Sequence, residues 1–238
     1  MRVSLSALPL CALLGCGVPV PAPAEPAAPA APAEPSTPAE PAAPAEPAAP
    51  ADGVVGVVVP VSALPTGLNL KGQPVAAMTW TDSDGENLLI LTEVAEFAPR
   101  KSEPDLRDAE LYGYQLTRQG QSWLERWKIV DFVRQCPNDI LAKHLPESLQ
   151  ITDLDGDYLA ESAWIYRTAC RGDVSPATQK LMMHEGETKY ALRGTARIKA
   201  GDEGYGGDMT PDPAFKEAPA SFLVSAEALW ARFVDETF

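Results

Sequence analysis

Basic residues are scarce. Lys and Arg number 19 against 33 Asp and Glu, a formal charge of −14. Binding phosphates calls for clustered Lys and Arg, so nucleic acid is excluded as a partner. The same imbalance suits a domain that attracts cations. Histidine is nearly absent: His144 and His184 are the only two, and they form no His-x-x-x-His or His-Glu-x-x-His pair. Zinc chemistry therefore lacks its ligands. The chain also lacks a Gly-x-Ser-x-Gly elbow and any Walker or dinucleotide glycine motif, so α/β-hydrolase and nucleotide-binding readings have no support. Beyond the N-terminal segment no apolar run reaches the roughly 18 residues a spanning helix needs.

What is present begins with an address. Arg2 precedes a short apolar stretch, as in a signal peptide. Its end, Leu13-Leu14-Gly15-Cys16, resembles the lipobox of bacterial lipoproteins. That resemblance implies loss of residues 1–15 and a lipid on Cys16, which becomes the new N-terminus. Gly17, in place of an inner-membrane retention aspartate, implies the outer membrane of a Gram-negative host. The protein is then exported and anchored to a membrane through its lipid.

Residues 16–52 carry the anchor and a Pro/Ala/Glu segment, with acids at Glu34, Glu40, Glu46 and Asp52. Such a composition has almost nothing to bury and cannot offset the entropy of ordering. Frequent proline favours polyproline II over helix or sheet. At about 3.1 Å per residue the segment reaches roughly 100 Å, a low-complexity, disordered linker serving as a stalk.

Residues 53–238 read as a single, mainly β domain: antiparallel hairpins and meanders with a few short helices, one of them C-terminal. Val54–Val59 is β-branched and bounded by Gly53 and Pro60, hence a strand. Val75–Trp80 is another. Leu88–Thr92, apolar throughout, predicts a central strand buried on both faces. Leu111–Thr117 and Trp123–Val133 form a hairpin, with Trp127, Ile129 and Val133 on one parity. Pro137–Leu145 reads as a short helix or helical turn with proline at its start. Leu181–His184 and Lys189–Arg193 make a second hairpin. Gly201–Pro213 reads as an acidic loop, and Ser225 as the cap of a helix over Ala226–Glu236. Cys136 and Cys170, an even pair in an exported domain, predict a disulfide; the alternative is two buried thiols.

The richest stretch is Thr152-Asp-Leu-Asp-Gly-Asp-Tyr-Leu-Ala-Glu161. Hard cations such as Ca²⁺ take six to eight oxygens, and alternate acids in a tight loop supply several from one side. The expected ligands are Asp153, Asp155, Asp157, the Leu159 carbonyl and Glu161, with weak, extracellular-range affinity. The run is similar to the Asp-x-Asp-Gly-Asp-Gly loops of calcium-binding β-propeller repeats and to the first half of an EF-hand loop. It departs from both at Tyr158, where they carry glycine. Trp164 stands where an EF-hand has its bidentate Glu. Thr81-Asp-Ser-Asp-Gly-Glu-Asn reads as a fainter copy, with Asp82, Asp84 and Glu86 in register, and is the weaker cation candidate.

A longer pattern runs through Asp131-Phe-Val, Cys136-Pro-Asn-Asp139, Tyr166-Arg-Thr-Ala-Cys170-Arg-Gly-Asp-Val-Ser-Pro176 and Lys189-Tyr-Ala-Leu-Arg-Gly194. It resembles bacterial exported proteins labelled surface polysaccharide biosynthesis proteins. That resemblance implies a cell-surface setting and carries over no catalytic residue. No catalytic constellation is singled out by the residues themselves, so a non-enzymatic binding module is expected, its ligand a glycan or an envelope protein. The alternative is a carbohydrate-active enzyme or accessory factor using paired carboxylates. The five tryptophans could floor a sugar site, but at their strand and helix parity they read as core. Arg171-Gly-Asp173 spells an adhesion tripeptide and reads as a turn.

Overall fold

Alternating apolar residues build two five-stranded antiparallel sheets from consecutive hairpins. In the computed structural model, residues 53–99, 105–200 and 203–237 are described. The expected signal peptide, Cys16 and the Pro/Ala/Glu segment lie outside the described residues. The first sheet contains β1 (Val57–Val58), β2 (Gln73–Asp82), β3 (Gly85–Phe97), β4 (Arg107–Gln119) and β5 (Ser122–Cys136), in spatial order β1-β2-β3-β4-β5. The second contains β6 (Asp139–Thr152), β7 (Glu161–Arg171), β8 (Thr178–Glu185), β9 (Thr188–Thr195) and β12 (Met209–Pro211), in order β12-β9-β8-β7-β6. A small third sheet joins β10 (Arg197–Ala200) to β11 (Glu203–Gly206) and, in parallel, to β13 (Asp235–Glu236). The helix α1 spans Ala220–Phe233.

The predicted hairpins form, and β3 is buried on both faces as its apolar run requires. Leu89 and Leu91 join Trp80, Leu111, Trp164 and Tyr166 between the sheets. Leu88 and Ile90 face outward under a lid of Val59, Leu64, Leu68 and Leu70. On the far side, α1 lays Phe222, Ala226, Leu229 and Trp230 over Ile165, Leu181, Met183 and Leu192.

Four local expectations are corrected. Pro137–Leu145 is not helical: from Asp139 onward it is β6, paired with β7 from Asp139↔Arg171. A proline at a helix start is a weak preference, and it loses to a ladder that also buries Ala142 and His144. The last helix starts at Ala220 behind Pro219, without a side-chain cap, and ends at Phe233. A cap is worth about 1 kcal/mol. Burying Phe222 is worth about 1.5–3 kcal/mol, so the earlier start wins. Gly201–Pro213 is not simply a loop, since β11 and β12 fall within it. The Val54–Val59 strand shrinks to Val57–Val58, with Val55, Val57 and Val58 exposed at the sheet edge.

Cys136 and Cys170 are joined in a disulfide with Cα atoms 5.6 Å apart, linking the end of β5 to β7.

Candidate metal centre

The loop between β6 and β7 is built by its own aspartates. Asp153 is buried, and its two oxygens accept from the Gly156 amide at 2.9 Å and the Tyr158 amide at 3.3 Å. Asp155 Oδ1 accepts from the Asp157 amide at 3.4 Å, and Asp157 Oδ1 from the Leu159 amide at 2.7 Å. Short acidic side chains favour such backbone bonds, which is why they dominate turns. Gly156 and Tyr158 both take positive φ, +78° and +66°. Tyr158 therefore makes a left-handed turn of the kind glycine makes without steric cost.

Glu161 closes the loop at the first position of β7 and is fully buried. Its Oε2 accepts from Thr152 Oγ1 and the Leu154 amide, both at 2.9 Å. Its Oε1 is buried with no hydrogen-bond partner. Burial, and secondarily the Asp155 charge, push the carboxyl up to about 8, against the pull of the two donors.

One oxygen each from Asp153, Asp155 and Glu161 lie within 4.8 Å of one another. A cation with oxygens at about 2.3–2.6 Å spans that distance, so the three have the spacing to hold a metal ion. Asp157 does not join this group; it forms another with Asp155 and Glu185. Leu159 enters the loop through its amide. Glu185 was not among the expected ligands. It ends β8, and the pairing Glu161↔Glu185 brings it across from Glu161. The hairpin containing Glu185 is legible in the sequence, but its placement beside β7 is not.

The fainter copy gathers no group of three close acidic oxygens among the described residues. Asp82 Oδ1 accepts from the Asp84 amide and Asn87 Nδ2, both at 2.9 Å. Its Oδ2 accepts from Trp80 Nε1 at 2.7 Å and the Ala160 amide at 3.3 Å. Asp84 is paired with Arg126. This turn instead buttresses the other, since the Ser83 amide donates to the Tyr158 carbonyl at 2.7 Å.

The remaining candidates resolve into structure. Trp80, Trp164 and Trp230 are buried, which makes them core rather than a sugar-binding floor. His184 stacks on Trp127 with ring centroids 3.9 Å apart, and burial holds its imidazole down at about 3. His144 is likewise held at about 4 by burial, so both rings are neutral. Arg171 is bound to Glu236 at 2.5 Å and Asp173 accepts from the Ser175 amide, so the adhesion-like tripeptide is a turn.

No protein-family model, curated protein or solved structure matches the chain.

Proposed function

We propose that the protein is a lipid-anchored component of a bacterial cell envelope whose β domain is a non-enzymatic binding module stabilised by Ca²⁺ at the Asp153 loop. The observation that carries the metal reading is the Glu161 carboxylate: fully buried, with Oε1 unpartnered beside two further acids. A buried, unmatched oxygen costs several kcal/mol unless a proton or cation meets it. Calcium is preferred over zinc because the donors are all hard carboxylates. The lipobox-like Leu13–Cys16 and the Pro/Ala/Glu segment support the tether, with Cys16 as the lipid-bearing residue. Resemblance to the surface polysaccharide proteins supports a glycan or an envelope protein as ligand at the outer membrane.

The test is a thermal melt of the purified protein in EDTA and then in Ca²⁺ up to several millimolar. At about 5 mM Ca²⁺ and a dissociation constant of about 0.1–1 mM, binding adds about 1–2 kcal/mol, a rise of a few degrees. Asp155→Ala should remove that rise. An unchanged melt in both Ca²⁺ and Mg²⁺ would end the metal reading.

A further inference from the structure

A sheet edge exposes backbone N–H and C=O groups to any strand that meets it, and proteins blunt such edges with short strands, prolines and bulges. Three of the four edges of the two main sheets are blunted in this way. β1 has two residues, β12 has three and ends in Pro211, and β6 carries Pro146 within a register shift between Leu145 and Gln150. β5 is different. It runs for 15 residues without a proline and pairs with β4 alone. Its stretch Trp127–Val133 pairs without a register shift, from Gln115↔Trp127 to Ala109↔Val133. Alternate residues of an antiparallel strand point their N–H and C=O away from the neighbour, so this stretch leaves its outward groups open. Its outer face carries Lys128, Val130 and Phe132, all exposed.

The second sheet passes beneath this edge and beyond it. β7 lies under β4, where a Cβ added at Gly113 would sit 2.9 Å from the Trp164 ring. β8 lies under β5: His184 stacks on Trp127, and Lys180 pairs with Asp131 at 2.5 Å. β9 and β12 follow β8 in the sheet order, so they project past β5 as a shelf. On that shelf Lys189 is opposite His184, and Arg193 is opposite Lys180. Lys189 is exposed and has no ion pair among the described residues. Arg193 is paired with Asp212, yet 45% of its side chain stays exposed. Two copies joined at β5 about a two-fold axis would drive their shelves into one another, so the occupant is not a second copy. The Pro/Ala/Glu segment is excluded as well, since proline recurs there every two or three residues and donates no N–H.

We propose that the free edge of β5 above β9 is a docking groove for an extended acidic peptide, which joins the first sheet as an added strand. Backbone bonds to Trp127–Val133 hold it, and its alternate side chains read the two faces. Apolar residues on the outer face pack beside Val130 and Phe132. Acidic residues on the inner face meet Lys189 near Trp127 and Arg193 near Asp131. The two cations stand four residues apart on β9, as Trp127 and Asp131 do on β5. This rests on the reading of the domain as a non-enzymatic binding module and commits its ligand to polypeptide. It is independent of the calcium site.

The probe is an alternating Val-Glu octapeptide added to the full-length protein, read by amide hydrogen exchange. At about ten times its dissociation constant it should slow the outward amides of Trp127–Val133 about tenfold. The same peptide with proline at its central valines should have no effect. Lys189→Glu should weaken the Val-Glu peptide about two- to fivefold, the range of one exposed ion pair, and strengthen a Val-Lys peptide by a similar factor. Protection of β1 or β6 in place of β5 would overturn the assignment. So would equal binding of the Val-Glu and Val-Lys peptides by wild type, or an unchanged affinity in Lys189→Glu. Binding of an oligouronate with no binding of any peptide would also overturn it and leave the binding-module reading standing. Silence toward peptides and a glycan panel alike would remove both.

Discussion

Tyr158 is the residue on which the acidic loop departs from the expected calcium-loop pattern, and the backbone turns there all the same. A non-glycine residue in the left-handed region costs about 1–2 kcal/mol. The ring is well exposed, so its packing does little to offset that cost. What holds the conformation is the hydrogen bonding on either side. The Tyr158 amide donates to Asp153, and its carbonyl accepts from Ser83. Tyr158→Gly should therefore be neutral or stabilising by up to about 1 kcal/mol, after the entropy that glycine adds to the unfolded chain. Most exposed substitutions to glycine destabilise, so a thermal melt distinguishes the cases. A loss of more than about 1 kcal/mol would mean that the tyrosine ring contributes packing beyond what its exposure indicates.

At the scale of elements, backbone closeness matters as much as side-chain pattern. Gly194 in β9 lies so close to β12 that an added Cβ would sit 1.8 Å from the Asp208 carbonyl oxygen. The Thr195 amide donates to that same oxygen at 3.1 Å. Gly194→Ala must push β12 off the sheet, with an expected loss of about 1–3 kcal/mol or more, read from the urea midpoint. A variant as stable as wild type would show that β12 is not needed to hold the second sheet. The helix and β6 teach the same lesson from the other side. Ser225 and Pro137 are valid local signals, each worth at most about a kcal/mol. Phe222 against the second sheet and the ladder to β7 outweigh them.

For the whole molecule, the decisive contacts are those between the sheets. The disulfide links β5 of the first sheet to β7 of the second. Tyr166 donates to Asp131 at 2.8 Å, and Lys180 pairs with the same carboxylate at 2.5 Å, again joining the two sheets. With a sequence separation of 34, the disulfide should contribute about 3–4 kcal/mol in the chain-entropy model. A Cys136→Ala, Cys170→Ala double variant should lose about that amount in urea unfolding, with a steeper slope because its unfolded chain exposes more surface. Equal stability would mean that sheet-to-sheet packing alone fixes the arrangement. The two acidic turns also meet only at this scale. One is at the β2–β3 hairpin and the other between β6 and β7, and the bonds from Ser83 and Ala160 join them.

The sequence by itself determined what depends on neighbours along the chain. The mainly antiparallel β architecture, the two hairpins and the double burial of Leu88–Leu91 follow from period-two alternation and turn residues. The Asp153, Asp155 and Glu161 cluster follows from spacing within one loop. Tertiary structure decided everything that needs a second strand. It gave the fate of Pro137–Leu145, the true span of the last helix, and the saturation of Asp82 by Trp80, Asn87 and Ala160. It also placed Glu185 across from Glu161. The physical reason is that register is a long-range choice, fixed by which faces bury together, and local propensities of a fraction of a kcal/mol cannot specify it.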